Sequence, residues 1–264
     1  MQSLFDVTTP VPDGNAFRLD VPEGWRQGRG AYGGLTVASM IHAIEHRVED
    51  RERSIRSLTA ELFAPLAAGP ARIEVDRLRH GSSLSALRAM IVQADQPIAH
   101  AVALAGRTRS SPAWRDLVAP VAPPWQSIEP MASQDAMMWP EFAQHFEYRF
   151  VDGTPMSRAS RAVTVGWIRP RDPGPARDIA YIAALADAWY PAALVRMDTM
   201  RPLATIAYTL DIVGGVDGLA AEAPLLYRGT VPVMGEGYFL ETRELWGEDG
   251  RLVAINQQTF AVIQ

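Results

Sequence analysis

In LTVASMIHAIEHRV (residues 35–48) the apolar positions are Leu35, Val37, Ala38, Ile41, Ile44 and Val48. That spacing gathers them on one stripe and predicts an amphipathic helix with one face against a core. Gly33 and Gly34 precede it, so uncovered backbone N–H groups are expected at its start. Before the helix, a short strand is expected at Ala16–Val21 and a turn-rich segment at residues 24–34. After it come strand-like runs at 57–65, 71–81, 83–95 and 98–106, separated by short pieces carrying Gly, Pro or Asp. Such pieces suit hairpins, and one helix followed by an antiparallel meander is an α+β pattern.

Residues 108–145 lose all periodicity and are punctuated by Pro112, Pro120, Pro123, Pro124, Pro130 and Pro140, which reads as an extended surface crossover. The order of elements then repeats. Strand-like runs at 146–153 and 160–170 precede a helical stretch at 176–190, stopped by Pro191. Four more runs follow, at 204–214, 224–235, 237–249 and 251–263. An offset of 154 superimposes the closing hairpins without a gap, setting Gly81 on Gly235 and Leu104 on Gln258. This predicts a duplicated chain, with halves at 1–107 and 146–264 joined by 108–145.

Composition narrows the chemistry. The chain has 264 residues and a formal net charge of −5. It has no basic stripe for nucleic acid. There is no cysteine, which excludes disulfides, thiolate metal sites and a cysteine nucleophile. The N-terminus does not read as a secretory signal. The most apolar stretch, 179–195, holds Asp187 and Pro191 and is too short to span a bilayer. A cytoplasmic protein without membrane or nucleic-acid partners is expected.

Three residues stand out. Asp187 is the one charged side chain among seventeen residues from Ile179 to Val195. A carboxylate in such surroundings must find donors or raise its pKa, and both suit a group that activates water. Gln258 sits in a strand where Asn256, Gln258 and Phe260 share one face, and its equivalent in the other half, Leu104, reads as an ordinary core residue. Thr205 opens a central strand, where Thr is common for packing reasons alone. All five histidines precede residue 146, so no Ser-His-Asp triad can come from the second half. His42 and His46 have the spacing of a metal pair, yet Ala43 stands where a zinc-protease motif needs Glu; a solvated helix face is expected. No metal and no cofactor are expected.

Together these segments resemble the acyl-CoA thioesterase II family, the double-hotdog thioesterases, over about Ala16 to Ile263. In the first half the resemblance rests on GRGAYGGLTVAS and on the hairpin run from Arg79 to Arg88, where Arg79, Gly81, Ser83, Ser85 and Arg88 fit the family's pattern. Phe63 and Pro65 fit the strand ending that precedes it. In the second half Asp187, Thr205 and Gln258 match the family's catalytic Asp, Thr and Gln, although Ala207 stands where an Asp commonly follows the Thr. The resemblance implies two fused hotdog repeats, antiparallel sheets each wrapped around a long helix. It also implies acyl-CoA as substrate and a water held by the three side chains. By analogy, Gly33 and Gly34 at the first helix's start would supply oxyanion donors. A homo-oligomer is possible through free sheet edges. The alternatives are a non-catalytic acyl-CoA binding protein of the same fold and, less favoured, an enoyl-thioester hydratase, whose chemistry needs a His.

Overall fold

The computed structural model describes residues 2–131, 139–212, 214, 216, 218–220 and 222–263. In chain order the elements are α1 (Leu4–Thr8), β1 (Val11–Asp13), β2 (Ala16–Val21), β3 (Arg26–Gln27), β4 (Gly30–Ala31) and α2 (Gly33–Arg47). β5 (Arg53–Leu62), β6 (Gly69–His80), β7 (Leu84–Gln93) and β8 (Gln96–Arg107) complete the first half. The second comprises β9 (Phe146–Asp152), β10 (Val163–Pro170), α3 (Ile179–Ala188), β11 (Leu203–Ile212), β12 (Leu225–Gly235), β13 (Tyr238–Trp246) and β14 (Leu252–Val262). The expected elements are present with ends shifted by at most four residues. Residue 213 of one expected strand lies outside the described residues, as do 132–138 of the crossover.

All the strands but β3 and β4 form one twelve-stranded sheet in the order β1-β2-β6-β7-β8-β5-β11-β14-β13-β12-β10-β9. Read inward from either edge, the connections are the same. The halves meet where β5 pairs antiparallel with β11, from Ser57 opposite Asp211 to Glu61 opposite Ala207. Alternate strand residues face inward onto the helices, so period-two alternation places the core.

The helices differ in how they start. α2 has no side-chain cap at Tyr32, whereas Asp178 caps α3 by accepting from the Tyr181 amide. All ten residues of α3 are buried, as its alanine-rich, nearly uncharged sequence requires. α2 and α3 approach closely: a Cβ added at Gly34 would lie 2.8 Å from the Ala184 carbonyl oxygen. No helix among the described residues is long and apolar enough to cross a membrane.

Three expectations need correction. The offset of 154 holds across β7 and β13 but not beyond. Ala86 pairs with Leu104 and Leu240 with Thr259. Since 240 − 86 is 154 and 259 − 104 is 155, the last turn of the second half holds one extra residue. One residue reverses the face of every side chain beyond it. Leu104 is accordingly exposed, not a core residue, and the counterpart of Gln258 is the fully buried Ala103. The crossover is not wholly superficial either. Trp125 is buried against Val165, Trp167, Leu226, Trp246 and Leu252, with the Arg149 and Arg169 guanidiniums over its ring. His42, finally, is not a solvated position: its ring bonds the Thr8 carbonyl and Asp178 at 2.9 and 3.0 Å. His46 is exposed and lies edge-on to Phe17.

Candidate active site

Asp187 sits in the last turn of α3 and is 6% exposed. Its Oδ2 accepts the Gly34 N–H of α2 at 2.7 Å. The start of one half's helix thus points at the acid on the other, where unpaired amides and the helix dipole favour negative charge. Its Oδ1 lies 3.4 Å from Arg243 Nη1. Burial pushes the Asp187 carboxyl up from its ordinary value, while Arg243, a hydrogen bond from Gln258 and the Gly34 amide pull it down. Loss of hydration prevails.

Thr205 and Gln258 arrive on adjacent strands. Thr205 Oγ1 donates to Gln258 Oε1 at 2.9 Å, and Gln258 Nε2 donates to Asn256 Oδ1 at 2.8 Å. Asn256 in turn donates to the Thr209 carbonyl at 2.7 Å, so this buried amide ladder is satisfied. The register of β11 against β14 shifts between Thr205 and Ala207, and that of β5 against β8 shifts at the corresponding place, between Ile55 and Ser57. Bulges of this kind re-aim a side chain next to a site. The structure therefore joins Thr205 and Gln258 in one ladder and sets the Gln258 amide near enough to Asp187 to favour its anion.

Sequence reasoning missed four residues of this group. Arg243 and Glu241, both on β13, are 1% and 0% exposed. Arg243 Nε donates to Glu241 Oε1 at 3.0 Å and its Nη1 to the Ala186 carbonyl at 2.8 Å. Tyr227 and Asn256 complete the set, the former donating to Glu241 Oε1 at 3.0 Å. A signal was present. Applying the offsets, Glu241 and Arg243 replace Leu87 and Ala89, Asn256 and Gln258 replace Ala101 and Ala103, and all four first-half residues are buried and apolar. The helix-facing surface of the second half is polar where that of the first is aliphatic.

A cavity of about 420 Å³ opens between the start of α2 and the ends of β5 and β11, walled by Gly33, Thr36, Leu62 and Thr205, with Arg29 at the β3–β4 turn. Asp187 lies just behind this wall, since a Cβ on Gly33 would come within 2.8 Å of its Oδ2. Of the two expected oxyanion donors, Gly34 already serves Asp187, leaving Gly33 at the cavity surface. A larger cavity of about 820 Å³ lies on the second half's outer face, around Val163, Arg228 and Thr242, away from this chemistry. No group of side chains suited to a metal occurs among the described residues.

Residues 21–106 match the family description "Acyl-CoA thioesterase N-terminal domain", and residues 116–262 match "Acyl-CoA thioesterase C-terminal domain". No curated protein matches the chain by sequence. Among solved structures, a hot dog fold protein from Alicyclobacillus acidocaldarius is similar at a TM-score of 0.91 and 24% identity, covering 100% of this chain and 99% of its own. A chain titled thioesterase II from Thermobifida fusca YX gives 0.85 at 21% identity, covering 100% and 98%. An acyl-CoA thioesterase II from Mycobacterium marinum gives 0.78 at 20% identity, covering 99% and 98%. At such identities the structural likeness establishes the hotdog fold alone. The matched domains cover both halves, and by them the chain belongs to the acyl-CoA thioesterase family and is a thioester-hydrolysing enzyme.

Proposed function

We propose that the protein hydrolyses fatty-acyl-CoA to free acid and CoA, with Asp187, Thr205 and Gln258 holding the attacking water. Its frame is read as two fused hotdog repeats of which only the second carries the reacting groups. The observation that bears most weight is the convergence on one cavity wall of Asp187, held by the Gly34 amide, with Thr205 bonded to Gln258 beside it. Asp187 in its ionised form takes a proton as the water oxygen attacks the thioester carbonyl carbon. Thr205 and Gln258 fix that water, supplying orientation in place of a covalent nucleophile. The tetrahedral oxyanion is met by the Gly33 N–H at the start of α2. Collapse expels the CoA thiolate, which takes up a proton to leave as the thiol. Arg29, with no ion pair among the described residues, stands at the mouth where the CoA phosphates would meet it.

The hydratase reading needs a histidine beside the cavity. None lines it, and His42 is tied to Asp178 instead. The decisive experiment is free-thiol release from acyl-CoAs of short to long chain by the wild type and by Asp187→Asn. A loss of at least ~100-fold is expected in the variant. An Asp187→Asn protein that hydrolyses at the wild-type rate would remove the mechanism. A wild type that binds acyl-CoA without releasing thiol would establish the non-catalytic binding protein instead.

A further inference from the structure

Burying Glu241 and Arg243 is costly, and an ion pair withdrawn from water seldom repays its lost hydration. The first half does without such a pair, placing Leu87 and Ala89, both buried, at the same positions. Stability alone therefore gives no reason for the second half to hold charges there. Their geometry suggests another one. Both Glu241 oxygens are engaged: Oε1 accepts from Tyr227 and Arg243, and Oε2 accepts the Ala192 N–H at 3.0 Å. The guanidinium is thus anchored from behind and by the Ala186 carbonyl. Its Nη1 reaches Asp187 Oδ1 only at 3.4 Å, near enough to act through charge while leaving that oxygen free to accept another hydrogen bond.

We infer that Glu241 and Arg243 are a positioning pair for Asp187, in which Arg243 keeps the carboxylate ionised at the cavity wall and Glu241 limits how much of that positive charge Asp187 receives. The inference rests on Asp187 being the water-activating acid.

The other groups facing Asp187 are few. Tyr32, Tyr208 and Tyr227 are buried phenols held neutral by desolvation, so none supplies a counter-charge. The Gly34 amide and the Gln258 side chain contribute dipoles. Arg243 is the one formal positive charge that acts on Asp187 among the described residues, and Glu241 competes for it. Two acids sharing one base make the ionisation of Asp187 adjustable from either side.

This predicts opposite displacements from the two substitutions. The pH dependence of kcat/KM for acyl-CoA hydrolysis has an acid limb set by Asp187. Arg243→Met should move its midpoint upward by about one pH unit or more, a tenfold or greater gain in proton affinity. Arg243→Lys should recover part of that shift. Glu241→Gln, which keeps shape and volume, should move the midpoint downward. KM for the acyl chain should change little in all three. A uniform loss of rate with unmoved midpoints would mean a structural role only and would overturn the inference. Should Arg243→Met fail to fold, Glu241→Gln and Arg243→Lys still decide. A carboxyl ¹³C NMR titration, with the Asp187 resonance identified by its absence in Asp187→Asn, reads the same shifts without turnover. If those shifts appear while Asp187→Asn hydrolyses normally, the mechanism fails and the electrostatic coupling stands.

Discussion

Asp187 is held in two competing ways. Loss of water favours its protonated form, whereas Arg243, Gln258 and the Gly34 amide favour the anion. Because burial prevails, its folded-state pKa lies above the ordinary value of 3.8. A group raised in this way binds protons more tightly folded than unfolded. Its contribution to stability is fully present below about pH 3.8 and is lost as pH rises through the folded midpoint. Asp187→Asn lacks this loss, keeps the Gly34 contact and leaves Glu241 and Arg243 as a neutral pair. Its Tm should therefore equal or exceed the wild type's at neutral pH, with the margin shrinking as pH falls. Each unit of raised pKa is worth about 1.4 kcal/mol. Thermal melts across pH 4–8 check this, and a variant less stable at pH 8 than at pH 5, relative to wild type, would contradict it. Activity runs the other way: the proposed mechanism needs the ionised acid, so hydrolysis should fall as pH drops through the same raised midpoint.

At the scale of elements, α2 touches α3 through two adjacent glycines with different duties. A Cβ on Gly34 would sit 2.5 Å from the Tyr32 ring, 2.8 Å from the Ala184 oxygen and 3.1 Å from the Ala184 Cα. Backbone cannot yield as a side-chain tip can, so Gly34→Ala should force the helices apart at roughly 1–3 kcal/mol. A Cβ on Gly33 meets chiefly the Asp187 carboxylate, at 2.8 Å. Gly33→Ala should leave the melting temperature within a few degrees of wild type yet cut kcat by at least ~10-fold, by turning the acid away. Melting curves beside kcat for the two variants separate these duties. The helix itself was legible from its apolar stripe, since periodicity within one segment needs no partner. The consequence of two glycines was not, because Ala184 and Asp187 lie 150 and 153 residues away in sequence.

At the scale of the whole molecule, the two halves share a sheet but divide the work. The first supplies the start of α2, the β3–β4 turn and an aliphatic inner face; the second supplies the buried polar group. Arg29, on the first half's turn, sits at the mouth of a cavity whose far wall includes Thr205 of the second. Arg29→Ala should raise KM for acyl-CoA several-fold with little change in kcat, and should leave a truncated acyl-N-acetylcysteamine thioester unaffected, since that substrate carries no phosphates. Equal effects on both substrates would rule out a phosphate contact.

The amino-acid sequence by itself determined the order of helices and strands and the antiparallel hairpins, and it marked Asp187 and Gln258 as polar departures from an apolar pattern, whereas Thr205 was singled out only through the family resemblance. It also carried the resemblance that the matched domains place in the acyl-CoA thioesterase family. Only the tertiary structure decided which side chains share a face across the last hairpin, because strand alternation has period two and one extra turn residue inverts it. That slip separated Leu104 from Gln258 and set Ala103 opposite it instead. Tertiary structure likewise decided that Gly34 and Arg243 meet Asp187. Those contacts join α2, α3 and β13 through the packing of the two helices against the sheet, and no spacing along the chain encodes such a distance.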